Sequence, residues 1–132
     1  GRWLPARTVG IDRRADVALL KVAAEGLPVA PLARTARVCA GHWVGALGAP
    51  FGFEQTLTVG VVSAEPRVLP GYGGVPQIQM NVTLNPGSSG GPLFNADGEV
   101  VGLNTMIFSS AGFYLGISFA VPIDRALQVA ER

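Results

Sequence analysis

Ser89 stands in Asn85-Pro86-Gly87-Ser88-Ser89-Gly90-Gly91-Pro92, a serine enclosed by glycines with strand-like sequence on either side. A hydroxyl attacks a carbonyl well only when it projects from a tight turn and when backbone N–H groups aim at the oxyanion that forms. Glycine permits both, because it accepts positive φ and lets a substrate come close to the backbone. Taken alone, the run fits a Gly/Ser hairpin loop equally well. A second group bears on the choice. Asp16 immediately precedes Val17-Ala18-Leu19-Leu20-Lys21-Val22, the pattern of a buried strand. A carboxylate entering a core is costly unless it is paired. In serine hydrolases its partner is a histidine, which it orients and whose charged form it stabilises. The competing reading of Asp16 is a cap on the turn before a strand.

The elements that must hold these groups are short and turn-rich. With Gly 18 and Pro 10 in 132 residues, the chain reads as many short strands joined by tight turns. Residues 3–11 and 17–22 read as two strands around the polar turn 12–14, and 23–37 as a connector carrying Pro28 and Pro31. Strands are expected at 43–47 and 56–62, the latter on the alternation of Leu57, Val59 and Val61. A Gly/Pro-rich loop covers 66–76, and 77–82 alternates polar and apolar residues. Strands at 92–94 and 99–104 flank Asn95-Ala96-Asp97-Gly98, a hairpin signal. An exposed loop at 108–116 and a last strand at 115–121 follow. Pro122 is expected at the first helical position, with Asp124 in the first turn, Ile123, Leu127 and Ala130 on one face, and Arg125, Gln128 and Arg132 facing away.

The ordered set of motifs resembles the HtrA (Deg) family of trypsin-like serine proteases. Residues 16–22, D-V-A-L-L-K-V, resemble that family's strand carrying the triad aspartate. Residues 48–53, G-A-P-F-G-F, match its G-N-P-F-G turn with Ala49 for Asn, and 58–64, T-V-G-V-V-S-A, match its T-x-G-I-V-S strand. Residues 85–93 match N-P-G-N-S-G-G-P-L with Ser88 for Asn; 102–105 and 119–122 match G-I-N-T and F-A-[IV]-P. The matches run in order along nearly the whole chain.

The resemblance implies an all-β fold: the second, six-stranded Greek-key barrel of a trypsin-like (chymotrypsin-fold) protease, the last hairpin of the first barrel, and a C-terminal helix. The division implied is 1–27 for the end of the first barrel, 28–122 for the second, and 123–132 for a helix that in the family leads to a PDZ domain. It implies Ser89 as nucleophile, Asp16 as triad acid, and the N–H groups of Gly87 and Ser89 as oxyanion hole. Leu84, Asn104, Thr105, Met106 and Ile107 resemble the family's substrate-binding walls. No Asp or Glu falls among them, so small or medium apolar side chains are expected rather than Lys or Arg. Unfolded or misfolded polypeptides are the substrates implied, the bacterial periplasm or envelope the compartment, and a homo-trimer or larger assembly the parent's state.

The family's order is His, Asp, Ser, with the histidine upstream of the residues aligned with Gly1. The one histidine here, His42, falls at the family's G-D-x-V turn and is expected to be a surface turn residue. The chain therefore reads as a fragment of a longer protease, inactive by itself. The alternative is a non-catalytic protease-like module that binds extended polypeptide. Asn81-Val82-Thr83-Leu84 stands where the family has D-A-A-I, which bears on how the activation loop is held.

Composition excludes other classes. Hydrophobic residues make up 48% and charged residues 14%, and the mean hydropathy is +0.37. No apolar stretch approaches the ~18 residues of a membrane span. The net charge of +1 comes from scattered residues, so no nucleic-acid footprint forms. One cysteine, Cys39, allows no intrachain disulfide. One His and one Cys argue against a protein-built metal site, and no cofactor is expected.

Overall fold

The computed structural model describes residues 2–33, 37–112 and 114–132. Part of the connector, 34–36, and residue 113 of the exposed loop lie outside them. Strands β1 (Ala6–Asp12) and β2 (Val17–Val22) pair antiparallel as a separate two-stranded sheet. Strands β3 (Trp43–Gly48), β4 (Thr56–Val68), β5 (Pro76–Met80), β6 (Pro92–Asn95), β7 (Val100–Ile107) and β8 (Ser118–Pro122) close a barrel in the order β3-β4-β5-β8-β7-β6. Every pairing in it is antiparallel. Because β6 returns to lie beside β3, the first four barrel strands form a Greek key. Its long return connection, residues 81–91, is the stretch that contains Ser89. Helix α1 (Ile123–Ala130) packs on β7 and β2.

Inward side chains fill the barrel: Val44, Ala46, Val62, Ile78, Met80, Leu93, Val101 and Ala120 form one buried cluster with Val82 and Leu84 of the return connection. A second cluster joins the hairpin to the barrel and helix through Ala15, Val17, Val100, Val121, Ile123 and Ala126. The apolar run in β2 is not a buried strand. Only Val17 is buried, and Leu20 is 60% exposed, because a two-stranded sheet provides no second layer for residues 18–21.

The alternation expected at 56–62 is present, but its apolar members point outward. Leu57 and Val59 are 58% and 60% exposed, while Thr58 and Gly60 face in. The return connection takes up the inner space at that end. Thr58 Oγ1 donates to Thr83 O at 2.8 Å, and a Cβ at Gly60 would lie 2.4 Å from Asn81 Oδ1. Both faces of β5 are covered, so Gln77 is buried beside Ile78. Pro122 ends β8 rather than starting α1: its ψ of 140 keeps it extended, and it is the N-cap.

Candidate active site

The loop that carries Ser89 begins with a turn of type II pattern. Ser88 N donates to Asn85 O at 2.9 Å across Pro86 and Gly87, and Gly87 has the φ of +102 that the third position of such a turn demands. The turn is stapled on its outer side to the segment after β3. Phe51 N donates to Pro86 O at 2.8 Å and Ala49 N to Gly87 O at 3.1 Å. A Cβ on Gly87 would lie 2.2 Å from Ala49 O, so glycine is required twice over, by φ and by space. Since the Pro86–Gly87 peptide is planar and trans, a carbonyl held by Phe51 points the Gly87 N–H the opposite way. Among the described residues neither the Gly87 nor the Ser89 N–H donates a hydrogen bond within the chain.

Ser88 is buried, and its Oγ accepts from Asn85 N at 3.2 Å. Ser89 is exposed, and its Oγ donates to Thr105 O at 2.7 Å. The loop's far end is pinned to β7: Gly90 N donates to Asn104 O at 2.7 Å and Asn104 N to Gly91 O at 2.9 Å. Ser89 opens onto a cavity of about 240 Å3 lined by Leu84, Asn85, Pro86, Met106, Ile107 and Gly112. Four of the five residues expected at the substrate walls thus meet Ser89. Leu84, Met106 and Ile107 line its cavity, and Thr105 accepts its hydroxyl. Asn104 does not reach the cleft by its side chain, which is 1% exposed; its Nδ2 donates to Pro92 O at 3.3 Å and its Oδ1 has no partner among the described residues.

Asp16 lies at the end of the β1–β2 turn with φ +56, a left-handed conformation unusual outside glycine. Asp12 builds that turn: its Oδ1 accepts from Arg14 N at 2.9 Å and Ala15 N at 3.0 Å. The Ala15 N–H above all, against some desolvation, and then the Arg14 N–H and the Arg132 and Arg14 charges hold the Asp12 carboxyl below its ordinary value. Asp16 borders a cavity of about 480 Å3 whose walls include Tyr72, Gly73, Gln77, Thr105 and Met106. Met106 borders both cavities, and Thr105 joins the Asp16 cavity to the Ser89 hydroxyl. The two groups expected to cooperate therefore open onto adjoining clefts.

His42 sits elsewhere. It precedes β3, its Nδ1 accepts from Cys39 N at 3.4 Å, and it shares a cavity with Arg37, Asp97 and Glu99. The opposite end of β3, at Gly48, abuts Ser88. Six residues of strand at ~3.3 Å each separate the two ends by roughly 20 Å.

Sequence reasoning did not single out Gly112, Tyr72, Gly73 or Gln77. Tyr72 and Gly73 belong to a loop recognised only by its Gly and Pro content, Gly112 to a stretch read only as an exposed loop, and Gln77 looked like the polar face of a strand.

Residues 1–103 match the model of the trypsin-like peptidase domain. The chain belongs to that family. Within it the HtrA (Deg) resemblance holds. The chain is 52% identical over 131 residues to a probable periplasmic serine endoprotease DegP-like of Hahella chejuensis, covering 99% of this chain and 28% of that protein. A protein of the same description from Ectopseudomonas mendocina is 52% identical over 129 residues, covering 98% of this chain and 27% of its own length. Among solved structures, an HtrA-type protease AlgW with decapeptide superimposes with a TM-score of 0.94 at 41% identity, over 99% of this chain and 41% of that one. The serine endoprotease from Yersinia pestis gives 0.84 at 37% identity, over 99% and 44%. This trypsin-like peptidase chain thus spans under a third of the length of those curated relatives.

Proposed function

We propose that this chain is the nucleophile-bearing part of an HtrA-type serine endopeptidase that cleaves unfolded or misfolded polypeptides in the bacterial periplasm. The observation that carries the reading is the junction at Thr105, where the Ser89 hydroxyl and the Asp16 cavity meet. An imidazole seated between them takes the proton from Ser89 as it attacks a peptide carbonyl, then passes it to the leaving amine. Asp16 holds that imidazole in its working tautomer. The Gly87 and Ser89 N–H groups stabilise the oxyanion. Leu84, Met106 and Ile107 favour a small or medium apolar side chain at the scissile residue.

His42 is at the wrong end of β3 for this role. The imidazole comes from polypeptide beyond these 132 residues, and the chain alone leaves Ser89 a weak alcohol nucleophile. On this reading the β1–β2 hairpin is the end of a preceding barrel, residues 28–122 are the second barrel, α1 leads towards a PDZ domain, and the whole protein assembles as a homo-trimer or larger. The other reading, a module that only binds extended polypeptide, draws on the Ser89 hydroxyl being engaged with a carbonyl that cannot accept a proton.

A fluorophosphonate probe separates the two. Ser89 of the 132-residue chain is expected to stay unlabelled, and the longer polypeptide to be labelled, with Ser89→Ala abolishing the signal. No labelling of the longer polypeptide favours the binding module. Strong labelling of the short chain overturns the claim that its base lies elsewhere.

A further inference from the structure

The loop between β4 and β5 presses on the turn that carries Asp16. A Cβ built on Gly73 lies 1.8 Å from the Arg14 carbonyl oxygen and 2.6 Å from its carbon, so the two backbones touch and only glycine fits. Gly74, its neighbour, has a φ of +77, close to the +67 of Gly73, yet an added Cβ there meets nothing within 4 Å. The contact is therefore local to one residue and is not a general property of a glycine-rich loop.

The pressed turn is a demanding one. Asp16 holds φ +56, and a non-glycine residue stays there only where its surroundings over-determine it. Asp12 fixes the turn from within through the Arg14 and Ala15 N–H groups, and Arg132 approaches Asp12 Oδ2 at 3.9 Å from the helix side. Gly73 closes the remaining side, and with Tyr72 it also forms wall of the cavity that Asp16 faces.

We propose that Gly73 is a positioning residue for the acid of the site: its backbone braces Arg14 and so fixes the direction in which Asp16 leaves the turn. The proposal rests on the roles given to Asp16 and Ser89 above. It matters because a displacement of about 1 Å in a catalytic group can cost on the order of a hundredfold in rate.

The test compares Gly73→Ala with Gly74→Ala. Both introduce a side chain at left-handed φ, and only the first meets Arg14. In the 132-residue chain, amide resonances of Arg14, Ala15 and Asp16 are expected to shift in the first variant and not in the second. In the longer polypeptide that supplies the imidazole, Gly73→Ala is expected to lower kcat by about tenfold or more with KM within about twofold, since Gly73 does not line the cavity at Ser89. Gly74→Ala should stay close to wild type. Equal shifts, or equal kcat in the two variants, overturn the proposal. A wild-type longer polypeptide that neither cleaves nor labels sinks the functional reading and this proposal together; an active one with an undiminished Gly73→Ala sinks this proposal alone. Should Gly73→Ala not fold, Pro70→Gly replaces it, loosening the loop without adding an atom. Faster amide exchange at 14–16 with a fall in kcat of about threefold or more is then expected, and an unchanged kcat overturns the proposal.

Discussion

The Ser89 hydroxyl donates to the main-chain oxygen of Thr105 at 2.7 Å, and Thr105 is also wall to the cavity beside Asp16. One β7 residue thus holds the Ser89 hydroxyl and lines the cavity that Asp16 borders. The bond is solvent-exposed, so its net contribution is small, about 0.5–1.5 kcal/mol at most. Ser89→Ala is expected to leave the urea midpoint nearly unchanged while abolishing probe labelling of the longer polypeptide. A loss of several kcal/mol would make Ser89 part of the framework instead.

On the proposed reading, the Gly87 N–H donates to the oxyanion, and its aim is set by backbone geometry. Alanine there meets the Ala49 carbonyl at 2.2 Å and must also adopt φ +102. The Pro86–Gly87 peptide has to turn, taking the Gly87 N–H off its aim. Loss of one oxyanion donor costs about 10²–10³ in kcat, ~2.7–4 kcal/mol. Gly90→Ala carries the positive-φ strain alone, since nothing lies within 4 Å of its added Cβ. Kinetics of the two variants in the longer polypeptide should therefore differ by an order of magnitude or more, and equal losses would remove Gly87 from the oxyanion site.

Much of this was legible because the motifs are local. The Asn85–Pro92 run specifies a turn, a positive-φ glycine and an exposed hydroxyl, and the fold needs only to hold it. What sequence could not supply was which way a face points. The alternation at 56–62 announced a strand correctly, yet Leu57 and Val59 face solvent, because the connection more than twenty residues on covers the other side of β4: Val82 and Leu84 are buried in the core, Val82 beside Gly60, while the exposed Asn81 and Thr83 accept from Val61 N and Thr58 Oγ1. Asn104 looked like a pocket residue through its neighbours and is buried, because its main chain, not its side chain, holds the loop. Asn81, standing where the resembling family has an acid, accepts twice: its Oδ1 takes the Val61 N–H at 2.8 Å, and its carbonyl accepts the Tyr114 hydroxyl.

The two faces of the barrel make a direct stability test. Leu93 is fully buried in the core cluster, whereas Leu57 is 58% exposed. Leu93→Ala is expected to destabilise by about 2–5 kcal/mol through lost burial and a residual cavity. Leu57→Ala should cost no more than about 0.5 kcal/mol, as surface changes do. Urea unfolding of the two variants decides it; similar losses would put Leu57 inside and reverse the face assigned to β4.

Asp12 sets the acid side of stability for the turn that carries Asp16. Its carboxyl is held below the ordinary value of 3.8, chiefly by the Ala15 N–H. The folded chain therefore binds that proton more weakly than the unfolded chain does. The stabilisation is complete above the unfolded value and is lost as pH falls through the lower folded value. Asp12→Asn keeps an acceptor oxygen for the two N–H groups but has no proton to gain. Wild type should be the more stable of the two near pH 7, and the difference should shrink as pH drops below about 4, where the carboxyl is neutralised. Urea midpoints measured for both proteins across that range check it. A difference that stays constant into strong acid would mean that the carboxylate charge does not hold the turn.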